Sequence, residues 1–173
     1  MAEREAQRSF TIRDARADER VAVRDLTLSA YSVYATIMAP VAWAGLDGAV
    51  RRALESETAQ RIVADDRGTL IGSVMLFPAE TAAYGEYTGA LAAPELRLLA
   101  VPESARGRGV GRALVEECIR RARRDGASAL GLHTSKSMAT ARDLYLRMGF
   151  VRDPDTDFFP PGAEQVEGYR LRL

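Results

Sequence analysis

The sequence predicts an α+β fold: a mixed β-sheet of six to seven strands with about four helices on its faces. Three observations predict it. Short apolar runs and longer amphipathic stretches alternate in the order β-α-α-β-β-β-α-β-α-β-β. The connections carry glycine, proline and charge, as surface turns do. The 173 residues, 47% of them hydrophobic, suffice to bury one core, so residues 1–173 read as a single domain.

Each element has a local reason. Residues 1–8 are charged, lack an apolar stretch and read as a flexible lead, not a signal peptide. Phe10 to Arg13 reads as the first strand. Asp18 is placed to cap a helix to about Ser32, with Val23, Leu26 and Ala30 on one face. Tyr31 to Pro40 breaks the pattern, and a weaker helix follows from about Val41 to Glu55. Arg61 to Ala64 and Thr69 to Phe77 are strands around a hairpin turn, Asp65-Asp66-Arg67-Gly68. Ala79 to Pro94 is small and polar, and reads as a loop or an irregular strand extension. Glu95 to Val101 is a strand, stopped by Pro102. Gly109 to Asp125 has the clearest helical period: Val110, Leu114, Cys118 and Ala122 form a stripe widened by Val115 and Ile119, and Gly126 ends it. Ala129 to His133 is a short buried strand. Ser135 or Ser137 caps a helix to Met148, stopped by Gly149. Phe150 to Arg152 and Gln165 to Leu173 are the last strands.

Composition narrows the function. The 24 basic and 24 acidic residues cancel, which argues against nucleic acid as a partner. All the basic residues except Lys136 are arginine, and most of them read as solvated helix faces. A lone Cys118 excludes an internal disulfide and a multi-cysteine metal site, and no metal is expected. No run approaches the roughly 20 apolar residues that span a bilayer, so no membrane partner is expected and the location expected is cytoplasmic.

The segment Arg106-Gly107-Arg108-Gly109-Val110-Gly111-Arg112 carries the most chemical information. A glycine-rich turn that opens a helix presents bare N–H groups and the positive end of a helix dipole to a phosphate. Three motifs compete for it. A P-loop needs lysine and a hydroxyl residue after its last glycine, and neither follows Gly111. A dinucleotide fingerprint needs G-x-G-x-x-G; counted from Gly107 or Gly109, the third glycine falls on Arg112 or Leu114. The pattern that fits is R-x-x-G-x-G, with Arg106, Gly109 and Gly111.

In that pattern the chain resembles the GNAT N-acetyltransferase superfamily. A second signature supports this: Ala141 to Val151 is similar to the family's A-x-x-L-Y-x-x-x-G-F segment, with Leu144, Tyr145, Gly149 and Phe150 in place. The element order matches from about residue 9 to 173. The resemblance implies a centrally splayed sheet and acetyl-CoA as co-substrate. The amides of Gly107, Arg108, Gly109, Val110, Gly111 and Arg112 would cradle its pyrophosphate, with charge from Arg106, Arg108 and Arg112. Leu99, Ala100 and Val101 would pair with the pantetheine arm, and an N–H near Leu99 would polarise the acetyl carbonyl. Many members have asparagine seven residues before the tyrosine; here Met138 stands there, and Ser137 or Ser135 is the candidate replacement.

The resemblance implies two catalytic residues. Glu95, six positions before Val101, matches the glutamate base that some members carry, with Glu80 and Glu86 as weaker alternatives. Tyr145 would protonate the leaving thiolate. His133, the only histidine, reads as structural, and Cys118 as a small core residue. Tyr31, Tyr34, Met38, Trp43, Tyr84, Tyr87, Phe158 and Phe159 are candidates to line an acceptor pocket. The expected activity is transfer of an acetyl group from acetyl-CoA to a primary amine of a small molecule or peptide, by direct attack in a ternary complex. The alternative is a catalytically silent acyl-CoA-binding sensor or interaction module. The amine is open, and a homodimer is compatible with the sequence.

Overall fold

The computed structural model describes residues 9–81 and 89–173. Seven strands form one mixed sheet in the order β1-β2-β3-β4-β5-β7-β6. They are β1 (Thr11–Asp14), β2 (Gln60–Asp66), β3 (Thr69–Phe77), β4 (Glu95–Ala100), β5 (Ala129–Thr134), β6 (Val151–Arg152) and β7 (Glu167–Arg172). Four α-helices accompany them among the described residues: α1 (Arg20–Tyr31), α2 (Pro40–Leu54), α3 (Val110–Arg124) and α4 (Ala139–Arg147). None of these helices is long and apolar enough to cross a membrane.

β3 shows how one strand serves two layers. Val74 and Leu76 face the core that holds the α3 stripe, Val110, Leu114, Val115 and Cys118. Met75 and Phe77 point the other way, against Val50, Ala53 and Leu54 of α2. Alternation on a strand and a four-residue period on a helix give each apolar face one partner. Gly72 permits the closest approach: a Cβ there would sit 2.7 Å from Val110 Cγ1. On the opposite face Ser73 Oγ meets Thr27 Oγ1 of α1 at 3.0 Å. Cys118 is fully buried in the larger core, and burial pushes its thiol up to about 12. That suits a packing residue and no nucleophile.

The β2–β3 hairpin closes on Arg67 and Gly68, both at positive φ (54° and 91°), with the Gly68 N–H donating to Asp65 Oδ1 at 2.6 Å. α2 begins at Pro40, where the missing N–H costs nothing. The start of α1 differs from expectation. Asp18 is not the cap; a 3-10 turn (Ala17–Glu19) leads in, and the Glu19 carboxylate accepts the Arg16 N–H at 2.8 Å. Glu19 is drawn inward because Arg13 grips both its oxygens (2.7 and 2.8 Å) and reaches Asp65 of β2 at 2.7 Å. That cross-strand network, invisible to local pattern, outbids the nearest cap residue. The C-terminal strands also reorder: β7 inserts between β5 and β6, pairing six residues with β5 and leaving β6 at the edge.

Candidate active site

β4 carries two irregularities. Against β3, Arg97 pairs with Met75 and Ala100 with Ser73, so Leu98 and Leu99 both stand opposite Val74. The extra residue is a β-bulge, and Leu98 takes the left-handed conformation at φ 55°. A leucine there costs about 1–2 kcal/mol, strain of the kind that collects at functional sites. The bulge resets the alternation. Leu96 packs in the α3 core, Leu98 in the α2 core, and Leu99 and Val101 return to the α3 side. Against β5, Glu95 pairs with Gly131 and no further pair follows, although Gly131 N–H donates to Pro94 C=O at 2.9 Å. Past Glu95 the two parallel strands diverge, and among the described residues β4 and β5 form no further pair.

The glycine loop lies at the end of the bulged strand. Gly107 and Gly109 take φ 75° and 80°, with open space where a Cβ would project. Glycine is needed there for the backbone angle, not for room. Gly111 differs: a Cβ would touch Leu144 at 3.4 Å, Val101 at 3.7 Å and Leu99 at 3.9 Å, so the first turn of α3 rests against α4 and β4. The first bond of α3 runs from Ala113 N–H to Gly109 C=O at 3.0 Å, leaving the N–H groups of Val110, Gly111 and Arg112 without helical acceptors. Val110 is buried in the core, so it brings only its backbone to the loop, while Arg106, Gly107, Arg108, Gly109 and Arg112 are exposed.

The arginines are largely engaged. Arg108 donates to Asp66 at 2.6 Å and Ser9 at 3.0 Å, Arg112 pairs with Glu116 at 2.8 Å, and Arg106 leans back towards the Val101 carbonyl at 3.5 Å. Ser137 is held by Glu164, which accepts both its N–H, at 3.0 Å, and its hydroxyl. At the end of β5, where the strands diverge, the hydroxyls of Thr134 and Ser135 are buried and have no partner among the described residues. Buried hydroxyls are costly when unpaired, so this pair marks a place for a polar ligand.

Glu95 is buried at the closed end of the split, its Oε2 3.1 Å from His133 Nδ1. His133 Nε2 lies 2.9 Å from the carbonyl oxygen of Thr156, and the Phe158 ring tilts against the imidazole at 5.4 Å. Burial pulls the imidazole down, but the hydrogen bond and charge of Glu95, aided by the Thr156 carbonyl, leave His133 raised above its ordinary value. Tyr145, on α4, is buried edge-on to Phe150 at 5.8 Å. Burial, then the neighbouring phenol of Tyr31, Cys118 and the phenol of Tyr34, hold its hydroxyl well above the usual range. Tyr31 and Tyr34 pack edge to face at 5.8 Å, and burial raises Tyr34 against the opposing charge of Arg106. So Tyr145, Tyr31, Tyr34 and Arg106 gather near the open end of β4. Of the other aromatic candidates, Phe158 is buried and Phe159 exposed; Tyr84 and Tyr87, with Glu86, lie outside the described residues, as do residues 1–8. Glu80 is exposed. Among the described residues no group of three or more His, Cys, Asp or Glu is placed to hold a metal ion.

The sequence profile of the acetyltransferase (GNAT) family matches residues 21–150. The chain belongs to the GNAT family. It is therefore an acyltransferase by descent, and the splayed sheet is the GNAT fold. Solved structures agree on the fold. A PaiA N-acetyltransferase from Thermoplasma acidophilum, in complex with coenzyme A, superposes with TM-score 0.67 at 14% identity, over 95% of this chain and 99% of that one. A GNAT acetyltransferase from Brucella melitensis, in complex with acetyl-CoA, gives TM-score 0.60 at 20% identity over 95% and 88%. The ribosomal-protein-S18-alanine N-acetyltransferase from Escherichia coli gives 0.63 at 18% identity over 95% and 94%. No curated protein matches the chain significantly.

Within this GNAT frame three residues have settings that the sequence alone did not show. His133 joins Glu95 across 38 positions of sequence, a juxtaposition that depends on β4 and β5 pairing in parallel. Thr134 carried no signal at all. The sequence offers Ser135 as a helix cap or as a replacement for the family's asparagine; it is the N-cap of the 3-10 turn Lys136–Met138 but makes no side-chain capping bond, leaving its hydroxyl unpaired among the described residues.

Proposed function

We propose that the protein is an N-acetyltransferase that moves the acetyl group of acetyl-CoA to a primary amine by direct attack in a ternary complex. The observation that carries this reading is the split between β4 and β5, bordered by the left-handed Leu98, the unpartnered Thr134 and Ser135 hydroxyls, and the free N–H groups that open α3. A polar, extended, phosphate-bearing molecule fits such a set. The amides of residues 107–112 bind its pyrophosphate. The open backbone edge at Leu99–Val101 and the two hydroxyls take the amides of its arm. Acetyl-CoA, once bound, supplies an activated acyl group.

The remaining steps belong to the chain. A backbone N–H at the bulge, near Leu99, donates to the carbonyl oxygen as negative charge develops on it. Glu95 takes a proton from the incoming ammonium, directly or through water, since an alkyl ammonium with pKa about 10.4 is not a nucleophile at neutral pH. Tyr145 stays protonated at neutral pH and donates to the departing sulfur as the C–S bond breaks, and the phenolate regains the proton that the new amide nitrogen sheds. Tyr31 and Tyr34 supply an aromatic wall for the amine's carbon skeleton.

Initial rates of thiol release, measured over a panel of amines and a range of acetyl-CoA, test this reading. Acceptor-dependent release with intersecting lines is expected. Parallel lines would replace direct attack with a covalent acetyl-enzyme. Calorimetric binding of acetyl-CoA with no release for any amine would instead mark a silent acyl-CoA-binding module. Gly109→Ala probes the loop. A side chain at φ 80° costs about 1–2 kcal/mol or turns the amides away, so KM for acetyl-CoA is expected to rise about tenfold with kcat little changed. An unchanged KM would separate the loop from the co-substrate.

A further inference from the structure

We propose that His133 is a positioning residue for Glu95: it holds one proton between its Nδ1 and Glu95 Oε2, and ties that pair to the Pro154–Thr156 turn. This rests on the role given to Glu95 above.

The imidazole ring makes two polar contacts, one at each nitrogen. A carbonyl oxygen only accepts, so the 2.9 Å contact to Thr156 requires that Nε2 carries a hydrogen. A neutral imidazole protonated there has a lone pair at Nδ1. That lone pair would face a carboxylate oxygen 3.1 Å away, acceptor against acceptor. A second proton therefore lies between them. Whether it is written as imidazolium with carboxylate or imidazole with carboxyl, the pair holds one shared proton and no net charge.

Burial explains why the chain would build it. The two side chains are 5% and 3% exposed, and an isolated charge at that depth is costly. Among the described residues, Glu95, Arg97 and Asp157 are the charged groups that act on the ring. On β4, Glu95 favours the imidazolium and Arg97 opposes it. On the C-terminal segment, Asp157 faces it, although Arg152 is the main partner of that carboxylate. β7 presents Gly168 opposite His133, with no side chain. Phe158 closes one side of the ring.

The consequence is directional. A glutamate carboxyl group turns freely about its last torsion unless something holds an oxygen. Fixing Oε2 aims Oε1, and a group aimed before substrate arrives loses less entropy in the reaction. Linkage gives a sign. The folded His133 is raised above its ordinary value of 6.5, so the pair stabilises the fold fully below that value. The stabilisation is lost as pH rises through the folded value.

The chain has one histidine, so its ring signals in a nuclear magnetic resonance titration are unambiguous. The wild-type ring should titrate above 6.5. In Glu95→Gln it should fall below 6.5, because burial then acts without its counterweight. His133→Phe should lower kcat on the order of ten- to a hundredfold while leaving KM for acetyl-CoA unchanged. His133→Asn keeps a donor in place of Nδ1–H but cannot ionise. It should recover most of that rate and lose the imidazole limb of the pH profile. A ring that titrates at 6.5 in both wild type and Glu95→Gln would overturn the shared proton. Wild-type kcat in a folded His133→Phe, or a His133→Asn no better than His133→Phe, would overturn the positioning role. A wild-type protein with the expected titration that acetylates no amine would overturn the proposed function and leave the proton-sharing pair standing.

Discussion

Tyr145→Phe is expected to lower kcat on the order of a hundredfold, with acetyl-CoA affinity little changed. The variant removes one oxygen and keeps the ring, which packs edge-on to Phe150 and is 5% exposed, so the fold should survive. What is lost is the proton donor. A thiolate leaving into a water-poor site needs a proton or a strong hydrogen bond. The reference values are about 8.5 for a thiol and about 10 for a phenol, a small gap in water. Burial raises Tyr145 well above that range, which keeps it fully protonated at every pH of interest. The same burial raises the proton affinity of a thiolate beside it, so transfer is not penalised in proportion. Steady-state thiol release with the best amine measures kcat, and calorimetry measures acetyl-CoA binding. Because the phenol does not titrate in the neutral range, the ratio of wild-type to variant rates should be flat from about pH 6 to 9. Full turnover in Tyr145→Phe across that range would remove the acid role.

Glu95→Gln should have an effect of similar size and opposite pH character. The base is needed because the acceptor arrives as an ammonium ion. At low pH nearly all the amine is charged, and the variant should lose on the order of a hundredfold in kcat/KM. Towards the amine's own pKa, about 10.4, free amine becomes abundant and the gap should narrow. A plot of log kcat/KM against pH should therefore be steeper for the variant. Glutamine matches glutamate in size at a site 2% exposed beside Gly131, so packing is preserved. Parallel profiles for wild type and variant would show that deprotonation happens elsewhere.

Tyr145 and Glu95 differ in how much of their setting is local in sequence. Tyr145 was visible in the sequence because it belongs to a contiguous segment, Leu144 to Phe150, whose spacing reflects one helix, one C-terminal glycine and one return to the sheet. Its setting was also local: Phe150 is five positions away and caps the same turn, with its N–H donating to the Tyr145 carbonyl at 3.1 Å. Gly107 and Gly109 were legible for the same reason. Their positive φ is a property of the turn itself, and only glycine adopts it without cost. The α3 stripe was legible because a helix face repeats every three to four residues.

Arg108 and Ser137 mark the limit of such reading. Their motif positions point to a phosphate-bearing ligand, yet the folded chain gives their side chains to Asp66 and Glu164, 42 and 27 residues away. Asp18 failed as a cap for a related reason: Arg13 recruits Glu19 and Asp65 together, and Arg13 to Asp65 spans 52 positions. A bidentate arginine contact with a buried carboxylate outweighs a single exposed capping bond.

The sequence by itself determined the order of elements, the glycine turn, the amphipathic helix behind it and the family. Those depend on neighbours within a few residues, where backbone angles and side-chain period are set. Only the tertiary structure decided where β4 stops pairing with β5, that Leu98 is the residue forced through the bulge, that Thr134 and Ser135 keep unpaired hydroxyls, and that the lone histidine meets Glu95. Each of these turns on register between distant strands. A shift of one residue would move every side chain to the other face, and no local pattern encodes which register wins.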